Sequence, residues 1–202
     1  MADRDVQVFV GGTWRSDKAA VYAEAAECVG ALIAEAGYSL ACGPGTGIAR
    51  HAIDGFRSVP SRAGMVRYYL PGRAHMAAVG EEVQDGYDEI VETDLDYPMR
   101  NVFQISKSHG LIVISGGDGT LEEILPALID YELPVAVLKG SGQAATALEA
   151  LLEVFPGWRS SVLVGDDPAE LARFVFERLP VRASASLGNT VACGVSTPGK
   201  GH

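Results

Sequence analysis

The stretch Leu111-Ile112-Val113-Ile114-Ser115-Gly116-Gly117-Asp118-Gly119-Thr120-Leu121-Glu122-Glu123 decides the fold. Four successive apolar residues mark a strand covered on both faces, as in a parallel sheet wrapped by helices. A glycine-rich turn follows at once, and Leu121, Ile124, Leu125 and Leu128 then recur at helical spacing. Such a unit aims the first free N–H groups of the helix, and the positive end of its dipole, past the carboxyl edge of the sheet, where a phosphate can bind. Thr120 and Glu123 also have the spacing of a capping box, with Thr120 as the N-cap. Three glycines in four positions exceed what a cap needs, which makes the turn a ligand loop.

Similar units run outward on both sides. Val6 to Val10 is a strand stopped by Gly11 and Gly12, and Ala25, Cys28, Val29, Leu32 and Ile33 predict one helix from about Asp17 to Ala36, closed by Gly37. Ser39 to Cys42 is a strand that opens into Gly43-Pro44-Gly45-Thr46-Gly47 and a helix through Ile48, Ala52 and Phe56. Strands follow at Met65 to Leu70 and Glu89 to Glu92, with a weakly patterned helix between them over Arg73 to Gln84. A helix from Tyr97 carries Met99, Val102 and Phe103 on one face and Arg100, Gln104 and Lys107 on another, so its polar face is basic. Beyond the opening stretch come a strand at Val135 to Leu138, the turn Gly140-Ser141-Gly142 and a helix over Ala144 to Val154. A strand at Val162 to Val164 and a helix over Pro168 to Leu179 complete the pattern. Six or seven such steps predict a single doubly wound α/β domain, Rossmann-like, with helices on both faces of a parallel sheet, over residues 1–180. Residues 181–202 turn to Ser, Gly, Ala and Thr without periodicity and read as a loosely ordered tail.

Composition limits the partners. The chain has 202 residues, 48% hydrophobic, with 26 acidic against 16 basic side chains and a formal net charge of -10. That balance disfavours a nucleic-acid backbone and an anionic membrane surface, both of which need clustered Lys and Arg. It leaves room for one small anion, because a cradle of N–H groups acts over a few ångströms; Arg100 and Lys107 beside the glycine loop would form the positive niche. Cys28, Cys42 and Cys193 form no metal-like or C-x-x-C spacing, the charged Met1 to Asp5 segment predicts no signal peptide, and no run is long enough to span a membrane. A cytoplasmic protein is the expectation.

The Ser115 to Glu123 segment resembles the P-G-G-x-G-T-x-x-E signature of the "lonely guy" phosphoribohydrolases, which cleave nucleoside 5′-monophosphates to free base and ribose 5-phosphate. Arg100 stands fifteen residues before Ser115, the distance of that family's arginine, and Gly43 to Gly47 resembles its earlier glycine loop. The resemblance implies Glu123 as the catalytic carboxylate, Arg100 as the group that positions or activates substrate, and Gly116, Gly117, Gly119 and Thr120 as the phosphate site. Gly43, Gly45, Thr46 and Gly47 would add to the ligand site. It further implies a homodimer, through the helices at Tyr97 and Leu121, and no metal or cofactor. The chemistry fits those residue types: a carboxylate can stabilise the oxocarbenium character that develops as an N-glycosidic bond breaks, and guanidinium forks onto phosphate or ribose oxygens.

Three positions depart from that signature. Asn101 stands where the family has lysine, Ser115 where it has proline, and Asp118 where an aromatic residue is common. Arg-Asn followed by Gly-Gly-x-Gly-Thr, together with Gly43 to Ala49, also resembles the molybdenum-cofactor carrier proteins, which hold a phosphorylated pterin without turning it over. Among other polar residues, Thr13 and Trp14 lie at the ligand edge, where Trp14 could stack on a base. Asp94 and Asp96 either reach substrate or cap the Arg100 helix. His51, His75 and His109 read as surface or hydrogen-bonded structural histidines, and Gly140 to Gly142 as a further wall of the site or a plain turn.

Overall fold

A computed structural model describes residues 5–180, so the segment read as a tail lies outside the described residues. Seven strands form one all-parallel sheet in the order β4-β3-β2-β1-β5-β6-β7. In chain order these are β1 (Gln7–Gly12), β2 (Ser39–Cys42), β3 (Val66–Leu70), β4 (Glu89–Glu92), β5 (Gly110–Ile114), β6 (Val135–Leu138) and β7 (Val162–Gly165). The helices are α1 (Ser16–Ala19), α2 (Ala23–Glu35), α3 (Ile48–Ser58), α4 (Arg73–Val79), α5 (Tyr97–Ser106), α6 (Asp118–Ile129), α7 (Gln143–Val154) and α8 (Pro168–Phe176).

Alternation along each strand divides the core into two layers. Val8, Val10, Ile112 and Ile114 pack on one side with Val29, Ile33, Ile53, Phe56 and Leu171 from α2, α3 and α8. Phe9, Leu111, Val113 and Val137 face the other side, with Ile105, Ile124, Leu128 and Leu148 from α5, α6 and α7. The α2 and α3 backbones meet closely: a Cβ on Gly30 would lie 2.0 Å from Ala52 O, and one on Gly55 would lie 1.9 Å from Glu27 O. The chain adds strands on one side of β1 as far as β4 and then crosses to place β5 on the other. Loops leaving β1 and β5 therefore diverge, and a crevice opens at the carboxyl edge between them, the usual ligand position in this fold.

Two expectations change in detail. The single helix over Asp17 to Ala36 is a short α1, a 3-10 turn over Ala20–Tyr22, and α2; Tyr22, at φ -113° and ψ 14°, separates the last two. The Arg73 to Gln84 helix ends at Val79, because Gly80 takes a left-handed cap at φ 67°, and residues 81–84 turn toward the crevice. No helix among the described residues is long and apolar enough to cross a membrane.

Candidate functional site

A cleft of about 1090 Å³ lies over the carboxyl ends of the central strands. Its floor is the β5–α6 turn. Gly116 has a φ of 113°, and a Cβ on it would lie 2.2 Å from Thr120 Oγ1, so the threonine hydroxyl folds back over bare backbone. Gly117 is the N-cap of α6, and Thr120 N and Leu121 N donate to Gly117 O. The helix thus begins three residues earlier than a Thr120 cap would allow, and the capping-box reading of Thr120 and Glu123 is corrected. The turn is braced from β6. Ser115 N donates to the buried Ser141 Oγ at 2.8 Å, and Ala144 N donates to Gly116 O at 3.1 Å. A Cβ on Gly142 would lie 2.7 Å from Gly116 O, so the Gly140 to Gly142 segment is a wall of the cleft. Gly119 lies open, and the exposed Asp118 lines the cleft beside it.

Glu123, released from capping, turns to the cleft. Its Oε1 accepts from Gln104 Nε2 at 3.0 Å, and Gln104 Oε1 accepts from Arg100 Nη1 at 3.1 Å. Gln104, fully buried, thus joins the guanidinium to the carboxylate and holds them apart. Arg100 is 4% exposed and lines the cleft, makes no ion pair among the described residues, and leaves its Nε without a hydrogen-bond partner. A buried cation so placed is costly unless an anion or an acceptor joins it. Glu123 lies on the cleft wall, where burial pushes its pKa up to about 8; Arg100 lowers it, Glu122 raises it, and the Gln104 hydrogen bond lowers it. Burial thus favours the protonated carboxyl.

Around this pair stand most of the residues anticipated from sequence. Thr13, Trp14, Gly43 and Thr46 line the cleft with Gly116, Gly117, Gly119 and Thr120. Trp14 is 68% exposed on the rim, free to stack on a flat ring. Gly45 and Gly47 stand behind the wall instead. A Cβ on Gly47 would lie 2.2 Å from Thr13 O, and one on Gly45 would lie 2.7 Å from Tyr87 Oη, so both serve close chain packing. Lys107 is also outside the cleft: it is exposed, with Nζ 5.0 Å from the centre of the Phe103 ring. The basic face expected of α5 is therefore Arg100 alone at the site, with Arg15 and Lys18 on the opposite rim. Asn101 lines the cleft and donates to Glu122 at 3.4 Å.

Other polar residues find structural partners. Asp96 caps α5 by accepting from Met99 N at 2.9 Å, His109 Nδ1 accepts from Gln7 N, and His51 faces Glu27. Two contributors carried no recognised signal. Gln104 was legible as a neighbour of Arg100 one helical turn on, but not as a bridge. Gly11 reads in sequence as a strand stop, yet a Cβ there would lie 2.9 Å from Glu123 Oε2.

The sheet order and the glycine turn that opens α6 define a Rossmann-like α/β protein with its cleft at the carboxyl edge. The chain belongs to the SLOG cluster4 family, whose LDcluster4 model matches residues 5–164. Among solved structures it is similar to TM1055, a structural-genomics target, at 23% identity and a TM-score of 0.70, covering 86% of this chain and 99% of that one. It is similar to the molybdenum cofactor carrier protein of Chlamydomonas reinhardtii at 24% identity and a TM-score of 0.66, covering 86% and 98%. A molybdenum cofactor binding protein from the phototrophic bacterium Rippkaea orientalis follows at 22% and 0.64, covering 85% and 94%. At these identities the likeness is one of fold. No curated protein matches the chain.

Proposed function

We propose that this protein hydrolyses the N-glycosidic bond of a nucleoside 5′-monophosphate, releasing free base and ribose 5-phosphate. The observation that carries the reading is the convergence of Glu123 and Arg100 on one cleft, linked through Gln104 but not paired with each other. The phosphate would sit at the α6 N-terminus against Gly116, Gly117, Gly119 and Thr120, with Gly43 and Thr46 on the facing wall. Thr13 and Trp14 would meet the base, and Arg100 would take a phosphate or ribose oxygen with its guanidinium.

Glu123, protonated at neutral pH, gives its proton to the departing base nitrogen as the C1′–N bond breaks. The carboxylate so formed stabilises the oxocarbenium-like ribose and takes a proton from the water that attacks C1′. One base and one ribose 5-phosphate leave, one water is consumed, and Glu123 ends as it began. The setting proposed is cytoplasmic and the assembly a homodimer through α5 and α6, where Met99 and Ile129 remain exposed. The test is incubation of the wild type and of Glu123→Ala with nucleoside 5′-monophosphates, following free base.

A second reading is a carrier that holds a phosphorylated heterocycle without cutting it. It is favoured by the fold likeness to the carrier proteins and by Asn101, which engages Glu122 at the rim. Retention of a pterin phosphate with no base released from any monophosphate would favour it.

A further inference from the structure

The cleft wall that follows α4 holds a second carboxylate for which the proposed hydrolysis has no use. Glu81 comes directly after the left-handed Gly80, and its N–H donates to Met76 O at 3.0 Å, which pins the backbone there. Both of its oxygens are occupied by phenols. Tyr68 Oη donates to Oε1 at 2.7 Å, and Tyr97 Oη donates to Oε2. The rings of these same two tyrosines each have their centre 5.7 Å from Arg100 Cζ. Arg100 therefore lies against two aromatic rings whose hydroxyls end on one carboxylate.

A phenol that donates to an anion gains electron density in its ring, and its pull on a cation rises. The two rings are anchored separately. Tyr68 is buried and stacks on Tyr87 at 4.9 Å, and Tyr87 Oη donates to Gly43 O at 2.8 Å. Tyr97 opens α5 three residues before Arg100. Among the described residues, Glu81 is the one that accepts hydrogen bonds from both hydroxyls. No ion pair joins Glu81 to Arg100 among the described residues, and the two tyrosines are the contacts the groups share.

The geometry points to Glu81 as a positioning residue: by holding the Tyr68 and Tyr97 hydroxyls it fixes the orientation in which Arg100 meets an anionic ligand. This rests on the reading of Arg100 as a ligand-binding group. Gln104 holds Nη1 of the same guanidinium, and its buried Nε has no hydrogen-bond partner.

The test combines a double-mutant cycle with a ligand-free signal. AMP binding is measured by calorimetry for the wild type, Glu81→Gln, Arg100→Gln and the double variant. Glu81→Gln is expected to weaken binding about tenfold in the wild-type background and to change nothing further beside Arg100→Gln. Equal losses in both backgrounds mean that Glu81 touches the ligand itself, and overturn the inference. In the unliganded protein, the Arg100 Nε–H resonance, identified by its loss in Arg100→Gln, is expected upfield between two ring currents. It should move toward the free-arginine position in Glu81→Gln and in Tyr97→Phe. A resonance unmoved in both variants overturns the inference whatever AMP does. A wild type that binds no AMP removes the nucleotide reading and leaves the resonance to decide.

Discussion

Glu123 Oε2 lies 2.9 Å from the point that a Cβ on Gly11 would occupy. The carboxylate thus rests over bare backbone at the end of β1, next to the strand that starts the opposite half of the sheet. Gly11→Ala would meet the mobile end of one side chain, with Phe9 Cε1 at 3.3 Å as the next neighbour. The fold should tolerate it at a cost within about 1 kcal/mol, while the shifted carboxylate loses on the order of 100-fold in kcat/KM. Thermal melts and base-release rates on one preparation check both halves; unchanged activity would remove Glu123 from the reacting centre. Gly12 is the control, since a Cβ there would lie 2.1 Å from Ile114 O and the sheet itself would have to move.

Glu123 also makes stability depend on pH. Its folded pKa of about 8 stands above the unfolded value near 4.5, so the folded chain keeps a proton that the unfolded chain has released between those values. The stabilisation due to that proton is complete below the unfolded pKa and is lost as pH rises through the folded one, at about 1.4 kcal/mol per unit in the window. Glu123→Gln carries no such charge. Its melting temperature should match the wild type near pH 4 and exceed it by several degrees at pH 8; equal melting at both would contradict a buried, protonated carboxyl.

The same proton sets the rate profile. If Glu123 protonates the departing base, kcat/KM for a nucleoside 5′-monophosphate should fall as pH rises through about 8. Measurement from pH 6 to pH 9.5 checks this, and a rate that climbs through that range would mean that the ionised form is the working one.

Ser115 tests the loop. It adopts a φ of 67°, uncommon for a side chain with a Cβ, and its N–H is spent on Ser141 Oγ. Proline, the residue of the resembled signature, can neither reach that φ nor donate. Ser115→Pro should cost about 3 kcal/mol or more and weaken phosphate binding, whereas Ser115→Gly should lie within about 1 kcal/mol of the wild type. Chemical denaturation of the two variants decides; a stable proline variant would mean that the turn has a second shape.

Much of this was legible in sequence because strand, glycine turn and helix are local signals. The continuous apolar run of β5 and the spacing of Arg100 from the glycine turn needed no knowledge of distant contacts. What escaped depends on contacts between remote segments. Lys107 shares a face with Arg100 in projection, yet the register of α5 carries it past the cleft to Phe103. Gly45 and Gly47 look like ligand glycines by composition, but their spacing serves Tyr87 and the Thr13 loop. The helix capped by Gly117 leaves Glu123 free of a capping role, which a capping pattern cannot reveal. Gln104, Gly11 and Glu81 gain their roles only when α5, β1 and the segment after α4 meet.

Nucleotide cleavage by the Arg100 and Glu123 pair can be measured directly. Purified wild type and Glu123→Ala, incubated with a panel of nucleoside 5′-monophosphates, are assayed for free base and ribose 5-phosphate in equal amounts. Stoichiometric release is expected from the wild type with at least one monophosphate, and none from a folded Glu123→Ala. No release by the wild type from any monophosphate, with tight retention of a pterin phosphate, would contradict it.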